Sequence, residues 1–160
     1  MSSDPFDQLA FFHGLCQADR VLLRHIFTPC EFSSDTQLFE QGDLAEYLYL
    51  VVLGEVVVAF KPDDGPPITV ARVAPGGVVG WSAALGSKTY TSGARCSVYT
   101  QLLRARGADL RRLCAQHNGV GTILLDRLAT VIAQRLSKTH EQVVALLEIG
   151  LKNSNRASGG

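Results

Sequence analysis

The sequence predicts a mainly β protein with flanking helices, organised as one sandwich or barrel. Between Glu31 and Arg106, runs rich in valine, tyrosine, phenylalanine and leucine alternate with turn signals, and such signals about every eight to twelve residues are typical of a β-sandwich or barrel. On both sides of this region, apolar residues recur at three- and four-residue steps, which indicates amphipathic helices. The chain has 160 residues, 46% of them hydrophobic, which is enough for one domain with a buried core.

Two short amphipathic helices are predicted in the first thirty residues. Their apolar positions follow the helical spacing: Leu9, Phe12, Leu15, Leu22, Leu23 and Ile26. Asp19 is expected to cap the second helix, because its carboxylate can accept hydrogen bonds from backbone N–H groups at a helix start. Pro29 is expected to end that helix.

Glycines and prolines mark the turns of the β region. Gly42, Gly54 and Gly76 are expected to adopt a positive φ, because glycine has no Cβ to oppose it. The prolines of segment 62–67 predict a surface hairpin loop. The most apolar stretch, Leu48 to Phe60, is shorter than the roughly 20 residues of a membrane helix, and the N-terminus does not resemble a signal peptide. We therefore expect a soluble, cytoplasmic protein.

A long helix is predicted near the C-terminus, because no proline occurs in residues 122–151. Its apolar seam is close to a heptad: Leu125, Leu128, Ile132, Leu136, Thr139, Val143, Leu146 and Gly150. Such a helix spans about 45 Å, more than a small barrel covers, so we expect it to pair two copies into a homodimer. The alternative is a helix folded back on its own barrel. The predicted units are a β domain with its N-terminal helices (6–116), the helix (117–151) and a polar tail (152–160).

The charge pattern does not predict a protein that grips nucleic acid. Lysine and arginine together number 15, as do aspartate and glutamate, whereas phosphate-binding proteins usually carry a basic excess. The densest basic group is formed by four residues: Arg104, Arg106, Arg111 and Arg112. We interpret this group as the solvated side of an edge strand and a helix start, with a surface for an acidic partner as the alternative.

Cysteines and histidines indicate neither a metal centre nor an enzyme. The four cysteines are far apart in sequence and are expected to be free, buried thiols: Cys16, Cys30, Cys96 and Cys114. A metal-dependent barrel enzyme needs histidines on its strands. The histidines lie outside the strand region: His13, His25, His117 and His140. We therefore predict a non-catalytic protein without a bound metal.

Two glycine motifs carry a resemblance to a known family. Segment 38–56 reads LFEQGDLAEYLYLVVLGEV, and segment 73–80 reads VAPGGVVG. The first resembles the opening half of a cyclic-nucleotide-binding domain of the Crp/Fnr group, and the second resembles the approach to that family's phosphate-binding cassette. The resemblance covers residues 6 to 150. It implies a double-stranded β-helix (jelly-roll) barrel with short N-terminal helices and a long C-terminal dimerisation helix.

The cassette departs from the family at both charged anchors. The family pattern is Gly-Glu-x-Ala/Ser-Leu followed by Arg-Ser/Thr-Ala, whereas segment 80–85 reads GWSAAL and segment 88–95 reads KTYTSGAR. The resemblance places Trp81 where the glutamate holds the ribose and Tyr90 where the arginine holds the phosphate. Binding of cAMP or cGMP in the family's manner is therefore expected to be weakened, and the cofactor stays unknown.

The remaining cassette residues keep the family's geometry. Gly80, Ser82 and Ala83 are expected to turn the backbone into a short helix, and Thr91 and Ser92 keep small hydroxyl donors. Trp81 and Tyr90 have two interpretations: they fill and seal the cavity, or they line an aromatic pocket for a planar ligand. Lys88 is a candidate replacement cation, and the alternative is a lysine that faces solvent.

A further match lies in the long helix, where Arg135 to Val143 resembles the segment in which catabolite activator proteins place a Thr-Ser pair against the purine. Thr139 keeps the first of these residues and His140 replaces the second. A histidine in contact with a ligand would make binding depend on pH near about 6.5. The alternatives are a polar seam residue at Thr139 and an exposed residue at His140.

These observations predict a regulatory binding module with a non-standard ligand. Its expected partners are a small molecule, a second copy of the chain and a protein effector. One alternative is a ligand-free dimeric interaction protein whose pocket is plugged. Another is a truncated Crp/Fnr-type transcription regulator, because members of that group follow the long helix with a DNA-binding domain and this chain ends nine residues after Leu151.

Overall fold

The computed structural model describes the backbone of residues 4–158. Side chains are described throughout that range except at 136–140, 142–143, 146 and 151–158. The described helices are α1 (Pro5–Gln8), α2 (Gln17–Ile26), α3 (Ser82–Leu85), α4 (Gly107–Gln116) and α5 (Asn118–Ser158), with a short 3₁₀ helix at Ala10–Phe12. The strands are β1 (Thr28–Phe32), β2 (Gln37–Phe39), β3 (Tyr47–Leu53), β4 (Val56–Phe60), β5 (Ile68–Val73), β6 (Val78–Val79), β7 (Gly93–Cys96) and β8 (Thr100–Arg106).

The strands form two antiparallel sheets of four strands each. Their orders are β1-β8-β3-β6 and β2-β7-β4-β5, so most neighbours in a sheet are distant in sequence. This arrangement confirms the predicted fold class, a mainly β jelly roll with flanking helices. Within the described residues, no helix combines the length and the apolar character that crossing a membrane requires.

A cluster of buried side chains forms a hydrophobic core to which residues of both sheets contribute. Its members are Phe39, Tyr49, Val51, Val56, Val58, Val73, Val79, Tyr90, Ala94, Cys96 and Leu102. Successive residues of a strand point to opposite faces, so alternate positions of each strand supply this cluster. We call this cluster the inner layer.

Three tight turns confirm the predicted role of glycine. Gly42, Gly54 and Gly76 have φ values of 92°, 97° and 91°. A Cβ at Gly42 or Gly76 would meet no atom within 4 Å, whereas one at Gly54 would lie 2.6 Å from Oγ1 of Thr100. The Thr100 side chain is fully buried, and it accepts a hydrogen bond from the N–H of Glu55. Glycine at position 54 is therefore needed for the positive φ of the turn and for the close packing against Thr100.

The N-terminal helices differ in detail from the prediction. Helix α2 begins at Gln17 with Cys16 at its N-cap, and Cys16 makes no side-chain capping bond. The prediction that Asp19 caps this helix is wrong, because the helix starts two residues earlier and Asp19 lies inside its first turn. A carboxylate there still stabilises the helix through the positive end of its dipole. The helix ends at Ile26, and Pro29 is the second residue of β1.

Helix α5 is longer than the prediction. It begins at Asn118, directly after the non-helical His117, and its helical backbone continues to Ser158, past the predicted end at Leu151. Residues 151–158 contain neither proline nor glycine, so nothing in this stretch breaks a helix. The chain divides into two compact units, Met1–Leu124 and Leu125–Gly160.

The four cysteines are free, as predicted. Cys96 is buried and Cys30 and Cys114 are partly buried, and burial raises the pKa of all three thiols. The prediction of a buried thiol is wrong for Cys16, which is exposed at the N-cap of α2.

Candidate ligand-binding cassette

The backbone of segment 80–86 forms the short helix that the sequence predicts. Gly80 has a φ of 78°, α3 follows after Trp81, and Gly86 ends the helix with a φ of 79°. The N–H groups of Gly86 and Ser87 donate to carbonyl oxygens of α3, which closes its C-terminus. The turn of the cassette is thus kept without its two charged residues.

Gly80 is required where the cassette meets strand β3. A Cβ at this position would lie 2.8 Å from the carbonyl oxygen of Tyr47, 3.3 Å from the ring of Tyr90 and 3.4 Å from the ring of Phe39. The strand, the cassette turn and two aromatic rings therefore converge on one point at the end of the inner layer.

Tyr90 is a buried structural residue at this point. Its hydroxyl donates to the carbonyl oxygen of Tyr47 at 2.6 Å and accepts from the N–H of Tyr47 at 3.0 Å. Its ring stacks on that of Phe39, with centroids 3.6 Å apart and planes inclined by 14°. Only 5% of the residue is exposed. The phenol joins the cassette to β3 across 43 positions of sequence.

Burial keeps the aromatic hydroxyls of this region neutral. Desolvation by burial raises the pKa of Tyr90, and the nearby Glu46 carboxylate adds to this effect. Burial also raises the pKa of Tyr49 to about 12. Both phenols are therefore protonated at neutral pH. Because the Tyr90 proton is directed at the Tyr47 carbonyl, this residue does not supply the charge that a phosphodiester needs.

The other predicted site residues fall into three groups. Gly80, Trp81, Ser82 and Ala83 lie together on the α3 turn, where Ser82 and Ala83 are buried and Trp81 is partly buried. Thr91 is exposed and Ser92 is partly buried in the segment before β7. The side chains of Thr139 and His140 lie outside the described residues, so their roles stay predictions, as do the ligand contacts of the cassette residues.

Lys88 lies in the segment between α3 and β7. Its side chain is exposed, as in the alternative interpretation from the sequence. Its backbone carbonyl accepts a hydrogen bond from the N–H of Ala45 at 3.0 Å, and the next residue, Thr89, forms a bridge with Leu44. Segment 88–90 therefore runs antiparallel to segment 43–45 and closes the loop of the cassette.

Helix α4 contacts the cassette helix closely, a contact that the sequence did not predict. The guanidinium of Arg111 donates to the carbonyl oxygen of Ala83 in α3. A Cβ at Gly107 would lie only 1.9 Å from that same oxygen. The first turn of α4 thus lies directly against α3, and glycine at 107 makes this approach feasible.

The prediction that Arg104 and Arg106 occupy an edge strand is wrong. Their strand, β8, pairs with β1 on one side and with β3 on the other, so it is central in its sheet. The pairing with β1 is between segments some seventy residues apart, which no local pattern reveals. Arg112 fits the predicted solvated helix start, because its side chain is exposed and pairs with Asp109 on α4.

Residues 29–117 match the sequence model of the cyclic nucleotide-binding domain family. The match takes in more than half of the chain, so the chain belongs to the cyclic nucleotide-binding domain family. The resemblance noted in the sequence is thus confirmed.

Solved structures agree with this assignment. A candidate cyclic nucleotide-binding protein from Geobacter metallireducens GS-15 is 26% identical, over 85% of this chain and 99% of that one, with a TM-score of 0.71. A cyclic nucleotide-binding domain from Methylobacillus flagellatus is 20% identical, over 88% and 79%, with a TM-score of 0.76. Thermus thermophilus catabolite activator protein is 26% identical, over 89% and 63%, with a TM-score of 0.68. The chain is therefore homologous to regulators of the Crp/Fnr type. A search of curated protein sequences found no match.

Proposed function

We propose that this chain is a non-catalytic, cytoplasmic regulatory module whose cassette does not hold a cyclic nucleotide by the family's charged contacts. The observation that carries this proposal is the position of Tyr90. Its hydroxyl is committed to the backbone of Tyr47 and its ring to Phe39, where the resemblance calls for a phosphate-binding arginine. The likeness to catabolite activator protein from Thermus thermophilus supports a regulatory role.

The energetic consequence for cyclic nucleotides is large. A charge-assisted hydrogen bond to a buried anion contributes about 1.5–3 kcal/mol, and both Trp81 and Tyr90 lack the charge that the family places there. Two such losses weaken binding by roughly a hundredfold to ten-thousandfold, at about 1.4 kcal/mol per decade. Any natural effector of this module is therefore expected to be a ligand other than a cyclic nucleotide.

The proposal predicts that the wild-type chain does not bind cAMP or cGMP at micromolar concentration. Isothermal titration should give no saturable heat with either nucleotide. The double variant Trp81→Glu, Tyr90→Arg restores both charges but removes the contacts of Tyr90 with Tyr47 and Phe39. Where it folds, it should gain binding of one of the two nucleotides and be stabilised by it.

The single variant Trp81→Glu is the matched control, because it keeps the Tyr90 contacts and restores one anchor only. Circular dichroism establishes that each variant is folded before titration. Micromolar binding of cAMP by the wild-type chain would overturn the proposal. A folded double variant that binds neither nucleotide would show that the cassette backbone is unable to receive one.

The proposal also includes a homodimer formed through residues 122–151. Three apolar side chains of the described part of α5 are largely exposed in the single chain: Leu125 (57%), Leu147 (61%) and Ile149 (57%). Covering apolar side chains of this size is favourable by about 25 cal/mol for each Å² removed from water. A second copy of α5 supplies a surface of the same chemistry, which supports pairing.

Leu125→Glu is expected to shift the protein from dimer to monomer, because it places a charge in the proposed seam. Light scattering at several protein concentrations measures the change. Gln134→Glu is the control: it adds the same charge at an exposed position about half a turn away from Leu125 around the helix. A wild-type chain that is monomeric at all concentrations would contradict the dimer.

A further inference from the structure

We propose that Arg104 and Arg106 form an anion-binding site on the inner wall of the barrel, and that this site selects a small organic oxyanion as the ligand. The proposal rests on the function proposed above, because it names the effector class of a module that does not read cyclic nucleotides through the cassette. Four features of the structure support it: strand register, the absence of ion pairs, aromatic contacts and position.

The register of the sheet places both arginines on its inner face. Directly opposed residues of antiparallel strands share a face, and Arg104 is opposite Tyr49 while Leu102 is opposite Val51. Tyr49, Val51 and Leu102 all belong to the inner layer. Arg106 is two residues beyond Arg104 and opposite Tyr47, so it follows on the same face.

Arg104 is a partly buried charge on the inner face, and buried charged side chains normally have a charged partner. Among the described side chains, neither Arg104 nor Arg106 forms an ion pair with a carboxylate. A hydrogen bond with the Tyr47 side chain raises the pKa of Arg106, and the carboxylates of Asp109 and Glu46 add smaller effects in the same direction. Arg104 is partly buried and Arg106 is exposed, so neither residue is fully closed off from solvent.

Tyr47 holds the two guanidinium groups in place. The central carbon of the Arg104 guanidinium lies 4.7 Å from the centre of the Tyr47 ring, and that of Arg106 lies 5.8 Å from it. A cation over an aromatic face is attracted by the ring, which orders a long side chain without neutralising it. Arg106 also donates a hydrogen bond to the side chain of Tyr47. The remaining N–H groups of the two arginines can bind an oxyanion, which arginine does in a forked geometry.

The site lies at the same end of the barrel as the cassette. The backbone of Tyr47 bonds the Tyr90 hydroxyl, and its carbonyl oxygen is the atom that Gly80 approaches. Strand β8 therefore supplies positive charge close to the cassette, where position 90 carries a neutral tyrosine. The ring of Tyr47, which is only partly buried, offers an apolar surface to an apolar or aromatic body, whereas Tyr49 and Phe39 belong to the buried core. The ligand class that fits is a carboxylate or phosphate attached to such a body.

Benzoate and phenyl phosphate are the probes that test this site. Each should raise the melting temperature of the wild-type chain in a saturable way, against sodium chloride of equal ionic strength. Arg104→Gln removes the charge and keeps much of the side-chain length, so the dissociation constant of the better probe should rise about tenfold or more. Arg106→Gln should weaken binding in the same direction, and it tests the site if Arg104→Gln does not fold.

Arg72→Gln is the matched control, because it makes the same change at a strand arginine of the other sheet. Arg72 lies between the inward residues Ala71 and Val73, and it pairs with Glu55 outside the inner layer. Its replacement should leave probe binding unchanged. The inference is overturned if neither probe stabilises the wild type, or if Arg72→Gln weakens probe binding as much as Arg104→Gln does. In either case the cyclic nucleotide titrations still decide the proposed function independently.

Discussion

Gly54→Ala is expected to lower the free energy of unfolding by about 2–5 kcal/mol. An alanine at a φ of 97° costs about 1–2 kcal/mol from local strain alone. The new Cβ would also lie 2.5 Å from the carbonyl oxygen of Tyr99 and 2.8 Å from the Cα of Thr100. Because these are backbone atoms, relief requires a shift of β8, and such overpacking adds about 1–3 kcal/mol.

Urea denaturation followed by circular dichroism measures this loss, at one protein concentration for all variants. Gly42→Ala and Gly76→Ala are the matched controls. They share the positive φ but meet no atom within 4 Å, so they should lose the strain part only. Equal losses of unfolding free energy in all three variants would show that the contact with β8 does not contribute to the destabilisation of Gly54→Ala.

Tyr90→Ala is expected to be about as damaging, with a loss of about 3–5 kcal/mol. The substitution removes a ring that is stacked on Phe39 and leaves a cavity in the inner layer. It also leaves the N–H and the carbonyl of Tyr47 without the hydroxyl that bonds both of them. Tyr90→Phe separates the two effects, because it keeps the ring. Tyr90→Phe should lower the free energy of unfolding by about 1–3 kcal/mol, which is the cost of leaving the two backbone groups of Tyr47 without the hydroxyl.

Tyr99→Phe serves as the control for the loss of a phenol oxygen. Tyr99 is 46% exposed and its hydroxyl bonds the carboxylate of Glu31 at the surface, so water replaces the lost contact. Its removal should change stability by less than about 1 kcal/mol. If Tyr90→Phe is as mild as Tyr99→Phe, the Tyr90 hydroxyl is not a structural bond, and the observation that carries the proposed function fails.

The fold could be predicted because its signals are local. Turn glycines at 42, 54 and 76 and the short apolar runs between them are visible in any window of about ten residues. The short helix after Gly80 could be expected from the resemblance to the family's cassette. In contrast, the choice between core and pocket for Tyr90 depends on Tyr47, a partner 43 positions away. Sequence spacing carries no information on such a contact.

The orientation of the arginines of β8 could not be predicted from the sequence either. The sequence alone shows that Arg104 and Leu102 share one face of β8, because residues two apart in a strand point to the same side. Whether that face looks inward is decided by pairing with β3, and whether the strand is central is decided by pairing with β1. Likewise, the contact between Gly107 and Ala83 arises from two helices that are adjacent only in space.

The position of Trp81 gives this protein a built-in optical reporter. It is the only tryptophan of the chain, and it immediately precedes α3 at the cassette turn, partly buried. Indole emission depends on local polarity, so its wavelength and intensity follow the surroundings of that one turn. Any effector that rearranges the turn should therefore be detectable by intrinsic fluorescence, without a dye and without altering the sequence.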